Sequence, residues 1–270
     1  MASKSKNPDQ EYESILATNK TRLMPPPAHP GAGIHKGPMP HSPLGYSTKQ
    51  ENIAVTGVAD MVIRSLLDKQ QFHDPLGAAL RLGISSAHWP LFGLLWPSGL
   101  RLARRMAAHP VRAGERILEI GCGLALASLV AHRRGADVTA SDCHPLSGVF
   151  LRANVALNQL PPLDYRHGQW GEGLQTSADE TGLSGRFGLI VASDVLYERD
   201  ERGDLAAFIE THASPSAEVW LVDPNRSNRP QFHRHMRLLG FSVHEQTLIQ
   251  GQAAGETPYR GRMLTYVRGA

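Results

Sequence analysis

Residues Arg116 to Val130 read RILEIGCGLALASLV, an apolar run that ends in glycines and passes into helix-forming residues. A strand, a glycine turn and a helix N-terminus bring backbone N–H groups close to a ligand, and a side chain at the glycines would hold that ligand away. Several unrelated cofactors use such a cradle. The neighbouring residues have to decide between them.

A dinucleotide fingerprint requires a third small residue three positions after the second glycine. Here the run is Gly121, Cys122, Gly123, Leu124, Ala125, Leu126, with a bulky leucine at that place. The phosphate-loop pattern GxxxxGK[ST] is absent altogether. Glu119, two residues before the first glycine, would repel a phosphate and favours a cationic ligand. S-adenosylmethionine meets that requirement, because it carries a sulfonium and an ammonium and no phosphate. Asp142 closes the next apolar run, ADVTASD, where a carboxylate can accept both hydroxyls of a ribose.

Outward from this core the chain alternates regularly. Strands are expected at Arg116–Ile120, Asp137–Ser141, Leu163–His167, Phe187–Ser193, Glu218–Val222, Phe241–Thr247 and Met263–Val267. Helices are expected at Leu124–Arg134, Pro145–Leu160, Leu205–Ala213 and Gln231–Leu239, with another from Pro97 that stops before Pro110. Strands alternating with helices imply an α/β fold with a doubly wound, Rossmann-like parallel sheet. The last two strands lack a helix between them, so an antiparallel hairpin is expected to close the sheet.

At these residues the chain resembles the class I, seven-strand S-adenosylmethionine-dependent methyltransferases. Within them it is similar to the protein lysine methyltransferase-like family, whose members modify electron-transfer flavoprotein, chaperones and elongation factors. The stretches LLWPSGLRLA, LEIGCGLALASLVAHRRGADVTASD and VASDVLYE carry the resemblance, and EVWLVDPNRSNRPQF adds a weaker match. The resemblance implies a seven-strand methyltransferase sheet. Asp194 and Tyr197 of SDVLY match the family's [DE]xx[YF] motif, which implies that Asp194 pairs with the incoming amine and that Tyr197 holds its cation or methyl groups against the ring. The alternative for Asp194 is a helix cap at a helix starting at Val195. Trp96 resembles the family tryptophan near the methionine half of the cofactor. Trp170 falls after the third core strand, where adenine stacks. Cys122, Cys143 and Ser193 complete the expected cofactor lining with Glu119, Gly121, Gly123 and Asp142.

The chain has 270 residues, room for one substantial core and an appendage. Residues 1–48 are expected to form a mobile tail, since TRLMPPPAHPGAGIHKGPMPHSPLG is rich in Pro and Gly and has no periodicity. Residues 49–95 then make an N-terminal extension, and 96–270 the methyltransferase core. Within the extension Val62, Ile63, Leu66 and Leu67 have helical spacing, whereas the family resemblance implies a strand or hairpin covering one sheet edge. We take the second.

Charge and cysteine content narrow the partners. The first 50 residues hold six Lys and Arg against three acids, leaving 22 of each sign in the rest and no general field for a polyanion. Arg101, Arg104, Arg105, Arg133 and Arg134 are expected on solvated helix faces. Only Cys122 and Cys143 occur, outside any CxxC pair, so a reducing, cytoplasmic location is expected. No secretory signal is visible at the polar start, and the most apolar window, WPLFGLLWPSGL, is too short to span a membrane. His233 and His235, two apart on an expected helix, face different ways, and no metal site is expected. The leading function is methylation of a protein lysine. A small-molecule N-methyltransferase and a cofactor-binding regulatory protein without turnover stay open; the [NDS]PP[YFW] motif of nucleic-acid amino-methyltransferases is missing.

Overall fold

The computed structural model describes residues 45–171, 182–250 and 258–269. Its strands are β1 (Thr48–Ile53), β2 (Met61–Leu66), β3 (Arg116–Ile120), β4 (Asp137–Asp142), β5 (Asp164–His167), β6 (Phe187–Ser193), β7 (Ala213–Asp223), β8 (Ser242–Gln250) and β9 (Tyr259–Arg268). The helices are α1 (Ala78–Arg81), α2 (Pro97–Ala108), α3 (Leu126–Arg133), α4 (Ser147–Leu157), α5 (Asp204–His212) and α6 (Arg229–Leu238), with a 3-10 turn at Trp89–Gly93.

Near-continuous apolar strands suit a sheet buried on both faces. Seven strands pair in the order β5-β4-β3-β6-β7-β9-β8. β3 to β7 run parallel, while β9 is antiparallel to β7 and to β8. The closing hairpin is thus present. Alternate residues serve two cores: Ile117, Leu189, Val191, Trp220 and Val222 join α2, α3 and α4 on one side. Leu118, Ile120, Ile190, Ala192, Val219 and Leu221 join α5 and α6 on the other. Strand order reverses between β3 and β6. That reversal opens a crevice at their carboxyl ends, where open α/β sheets place ligands.

Within residues 58–72, Met61–Leu66 form a strand rather than the helix their spacing favours. β1 and β2 make a separate antiparallel sheet that pairs with no strand of the main one among the described residues. The hairpin packs on the helices. Asn154 on α4 and Asn158 at its C-cap, one turn on, face the free edge of β2. Asn158 Oδ1 accepts from the Val62 N–H at 2.9 Å and its Nδ2 donates to the Val62 carbonyl at 2.7 Å. Asn154 does the same for Arg64, at 2.7 and 3.3 Å. Two side-chain amides thereby substitute for a partner strand.

Most of the expected tail, residues 1–44, lies outside the described residues. The core begins before residue 49, because Tyr46 is buried against Trp89 and Phe150. The arginines expected on solvated faces have structural partners; Arg101 lies 5.2 Å over the Tyr259 ring. Arg133 donates to the Ala59 and Asp60 carbonyls, Arg134 to those of Met106 and His109, and Arg105 lies 4.5 Å over the Trp220 ring. Among the described residues no helix is long and apolar enough to cross a membrane.

Candidate active site

The chain reverses sharply after β3. Gly121 and Gly123 take φ of 58° and 53°, and Ala125 follows at 57° before α3 begins. These left-handed conformations favour glycine. The glycines also answer to the protein's own packing. A Cβ at Gly123 would stand 2.9 Å from the Phe92 carbonyl oxygen, and one at Gly121 would stand 2.8 Å from Val195 Cγ1.

Two carboxylates flank this turn. Glu119 points under α3, where its Oε2 accepts from the backbone N–H and the hydroxyl of Ser128. Burial pushes its pKa up to about 7 against those bonds. Asp142 is also buried; its Oδ2 accepts from the Gly123 N–H and its Oδ1 from the His144 N–H, both at 2.8 Å. Each oxygen keeps a second acceptor direction. His144 stacks on Phe92 at 3.7 Å, and burial lowers its pKa to about 3, so the ring is neutral. Burial, followed by the Asp142 charge, raises the Cys143 thiol to about 12. Burial pushes the Cys122 thiol up as well, which disfavours the thiolate in both.

Phe92, Glu119, Cys122, Asp142, Cys143 and His144 line one cavity of about 560 Å³. Trp96, Trp170, Ser193, Asp194 and Tyr197 line it too, so the expected site residues come together. Trp96 stands at the start of α2, its Nε1 donating to the Leu91 carbonyl at 2.9 Å. Trp170 lies beside Gly121 and packs toward Phe208.

Asp194 is the distinctive group. It takes φ of 59°, a left-handed conformation uncommon outside glycine. No helix starts at Val195; the next is α5, and Asp200 accepts its first N–H groups. The helix-cap alternative is thereby excluded. Asp194 Oδ1 pairs with Arg226 Nη2 at 3.1 Å, while Oδ2 is buried without a partner. A buried carboxylate oxygen left unpaired is costly, and a donor supplied by a ligand would satisfy it. Tyr197 is exposed at the cavity mouth, where its ring meets His88 edge-on at 5.9 Å and His88 pairs with Glu198 at 3.3 Å.

Sequence reasoning missed Arg226, His88 and Glu198. Arg226 falls within the weaker matching stretch DPNRSN, which gave no sign that its guanidinium reaches Asp194. Four carboxylates in the lining (Glu119, Asp142, Asp194 and Glu198) against one guanidinium suit a cationic ligand and oppose a phosphate. S-adenosylmethionine fits this donor set. Among the described residues no cluster suits a metal ion, and His233 is instead buried between Glu245 and Tyr266.

A family model described as lysine methyltransferase matches residues 93–237, more than half of the chain. The chain is 30% identical over 164 residues to the electron transfer flavoprotein beta subunit lysine methyltransferase of Xenopus laevis, covering 58% of this chain and 63% of the relative. It is 32% identical to the histone-arginine methyltransferase METTL23 of Homo sapiens, covering 49% and 70%. The chain thus spans less than two thirds of the flavoprotein-modifying relatives' length. Among solved structures it is similar in fold to the 16S rRNA N2 methyltransferase RsmC of T. thermophilus, with TM-score 0.51, 18% identity and coverage of 82% of this chain and 51% of that one.

Proposed function

The chain belongs to the lysine methyltransferase family, and from that premise we propose that it methylates the side-chain amine of a protein lysine, with S-adenosylmethionine as cofactor. The observation that carries this reading is Asp194, one oxygen held by Arg226 and the other buried and unpaired in the cofactor's cavity.

Asp142 and the backbone around Gly121 and Gly123 would hold the cofactor's ribose side, and Glu119 its cationic end. When bound, S-adenosylmethionine supplies an electrophilic methyl group. The protein's task is then to position a lone pair and to exclude water. A lysine ammonium, with an unperturbed pKa near ~10.4, has to lose a proton before it can attack. Asp194 Oδ2 orients the amine by a charge-assisted hydrogen bond, and Tyr197 lines the same cavity. Trp96 and Trp170 wall the cavity against water.

The arginine-modifying relative favours a second reading, an arginine acceptor. A guanidinium is best held by both oxygens of one carboxylate. Arg226 already occupies Oδ1 of Asp194, which leaves room for a single bond and favours lysine. Incubation of the protein with tritiated S-adenosylmethionine and whole-cell lysate, followed by acid hydrolysis and amino-acid analysis, tests this. Label is expected in methyllysine; label in methylarginine or only in small molecules would overturn the lysine assignment.

A further inference from the structure

Beyond the acceptor cavity the chain builds a second open depression of about 650 Å³. Its floor comes from the turn after β7 and its wall from the outer hairpin, and it is lined by Arg226, Arg229, Arg260 and Arg262 with no carboxylate in the lining. Arg260 and Arg262 are two apart on β9 and so share one face of that strand. The buried Asp223 and the more exposed Glu245 hold the arginines from behind. Arg229 lies 3.8 Å from Asp223 and 3.4 Å from Glu245, and Arg262 lies 3.3 Å from Glu245 and 3.2 Å from the Asn225 side-chain oxygen. Arg260 is exposed and pairs with no carboxylate among the described residues.

Arg226 lines both this groove and the acceptor cavity, so whatever lies in the groove adjoins the amine at Asp194. We propose that the groove docks an acidic segment of the protein acceptor next to the lysine to be methylated. The proposal rests on the protein-lysine reading and adds the chemistry of the sequence around the target. Arginines held at fixed spacing match carboxylates better than mobile lysines would. A nucleic-acid strand fits less well, because the lining has no aromatic ring on which bases stack.

The test uses the full chain and two fluorescein-labelled peptides, each with one lysine, flanked by glutamates in one and glutamines in the other. Fluorescence anisotropy is expected to show the glutamate peptide binding at least about tenfold tighter at low salt, with the difference shrinking as salt rises. Arg260→Glu is expected to abolish the difference and Arg260→Lys to keep most of it, while cofactor titration of both variants stays as in the wild type. Arg262→Gln gives an independent second variant. Equal binding of the two peptides by the wild type, or a glutamate preference that survives Arg260→Glu in folded protein, would overturn the proposal. So would displacement of the peptide by single-stranded RNA at lower concentration than by free glutamate peptide. Tritium transfer to the bound peptide is read separately: preferential binding without transfer counts against the lysine methylation reading and leaves the docking groove intact.

Discussion

Asp194 Oδ1 lies 3.1 Å from Arg226 Nη2, across 32 residues of sequence. The contact joins the end of β6 to the turn after β7 and makes the two oxygens of one carboxylate unequal. One is committed to Arg226 and the other has no partner in the protein.

Asp194→Asn keeps the size of the side chain and removes its charge. Turnover of a protein acceptor is expected to fall by roughly 100-fold or more, a loss of a few kcal/mol of positioning. Cofactor affinity by calorimetry should stay close to wild type. A parallel collapse of both quantities would place Asp194 in the cofactor site or the fold, and no change in either would remove it from the chemistry.

Glu119 is expected to make the cofactor site sensitive to pH. Its folded pKa of about 7 lies above the ordinary glutamate value of 4.5. The stabilising contribution of the protonated form is therefore fully present below about 4.5 and is lost as pH rises through about 7. A cationic ligand favours the carboxylate, so cofactor binding at about pH 6.5 should release protons, seen as calorimetric heats that depend on the buffer's ionisation enthalpy. Glu119→Gln should abolish that dependence and weaken binding. Buffer-independent heats in the wild type would show that the ligand's charge does not sense Glu119.

Asp142→Ala should remove two hydrogen bonds to a charged acceptor, each worth roughly 1.5–3 kcal/mol, and weaken the cofactor about 100-fold or more. The same substitution frees the N–H groups of Gly123 and His144, so part of the loss reflects a looser turn. Asp142→Asn, which keeps the shape, should lose less. Wild-type affinity in a folded Asp142→Ala variant would contradict the ribose assignment.

Asn154→Ala and Asn158→Ala should each unpair a backbone N–H and a carbonyl of β2. An unsatisfied buried group costs about 1–3 kcal/mol, which predicts a fall in Tm of several degrees for each variant, at roughly 2–4 °C per kcal/mol for a domain of this size. Asn154, fully buried, should cost more than Asn158. Thermal unfolding followed by circular dichroism measures this, and an unchanged Tm would mean that the hairpin docks through its apolar face alone.

The main sheet was legible in the sequence because its signal is local. β3 and β6 are apolar runs that occupy the expected residues, Arg116–Ile120 and Phe187–Ser193. The positions of Glu119, Asp142 and Asp194 at strand ends followed from the same runs, since a parallel sheet gathers its carboxyl ends on one side. The spacing of the β2 segment favoured a helix, and only the family resemblance pointed to a strand: Met61, Ile63, Ser65 and Leu66 are buried, and the asparagines that satisfy its edge come from α4 and its C-cap, ninety or more residues on.

What the sequence by itself determined was the order of strands and helices, the glycine turn and the acidic character of the ligand site. All of these depend on periodicity and on neighbours within a few residues. Only the tertiary structure decided that Glu119 is tied to Ser128, that the glycines make room for Phe92 and Val195, and that Arg226 takes one oxygen of Asp194. Hydrogen-bond partners between elements depend on how the layers pack. That packing is set by the whole core and leaves no periodic trace in the residues that use it.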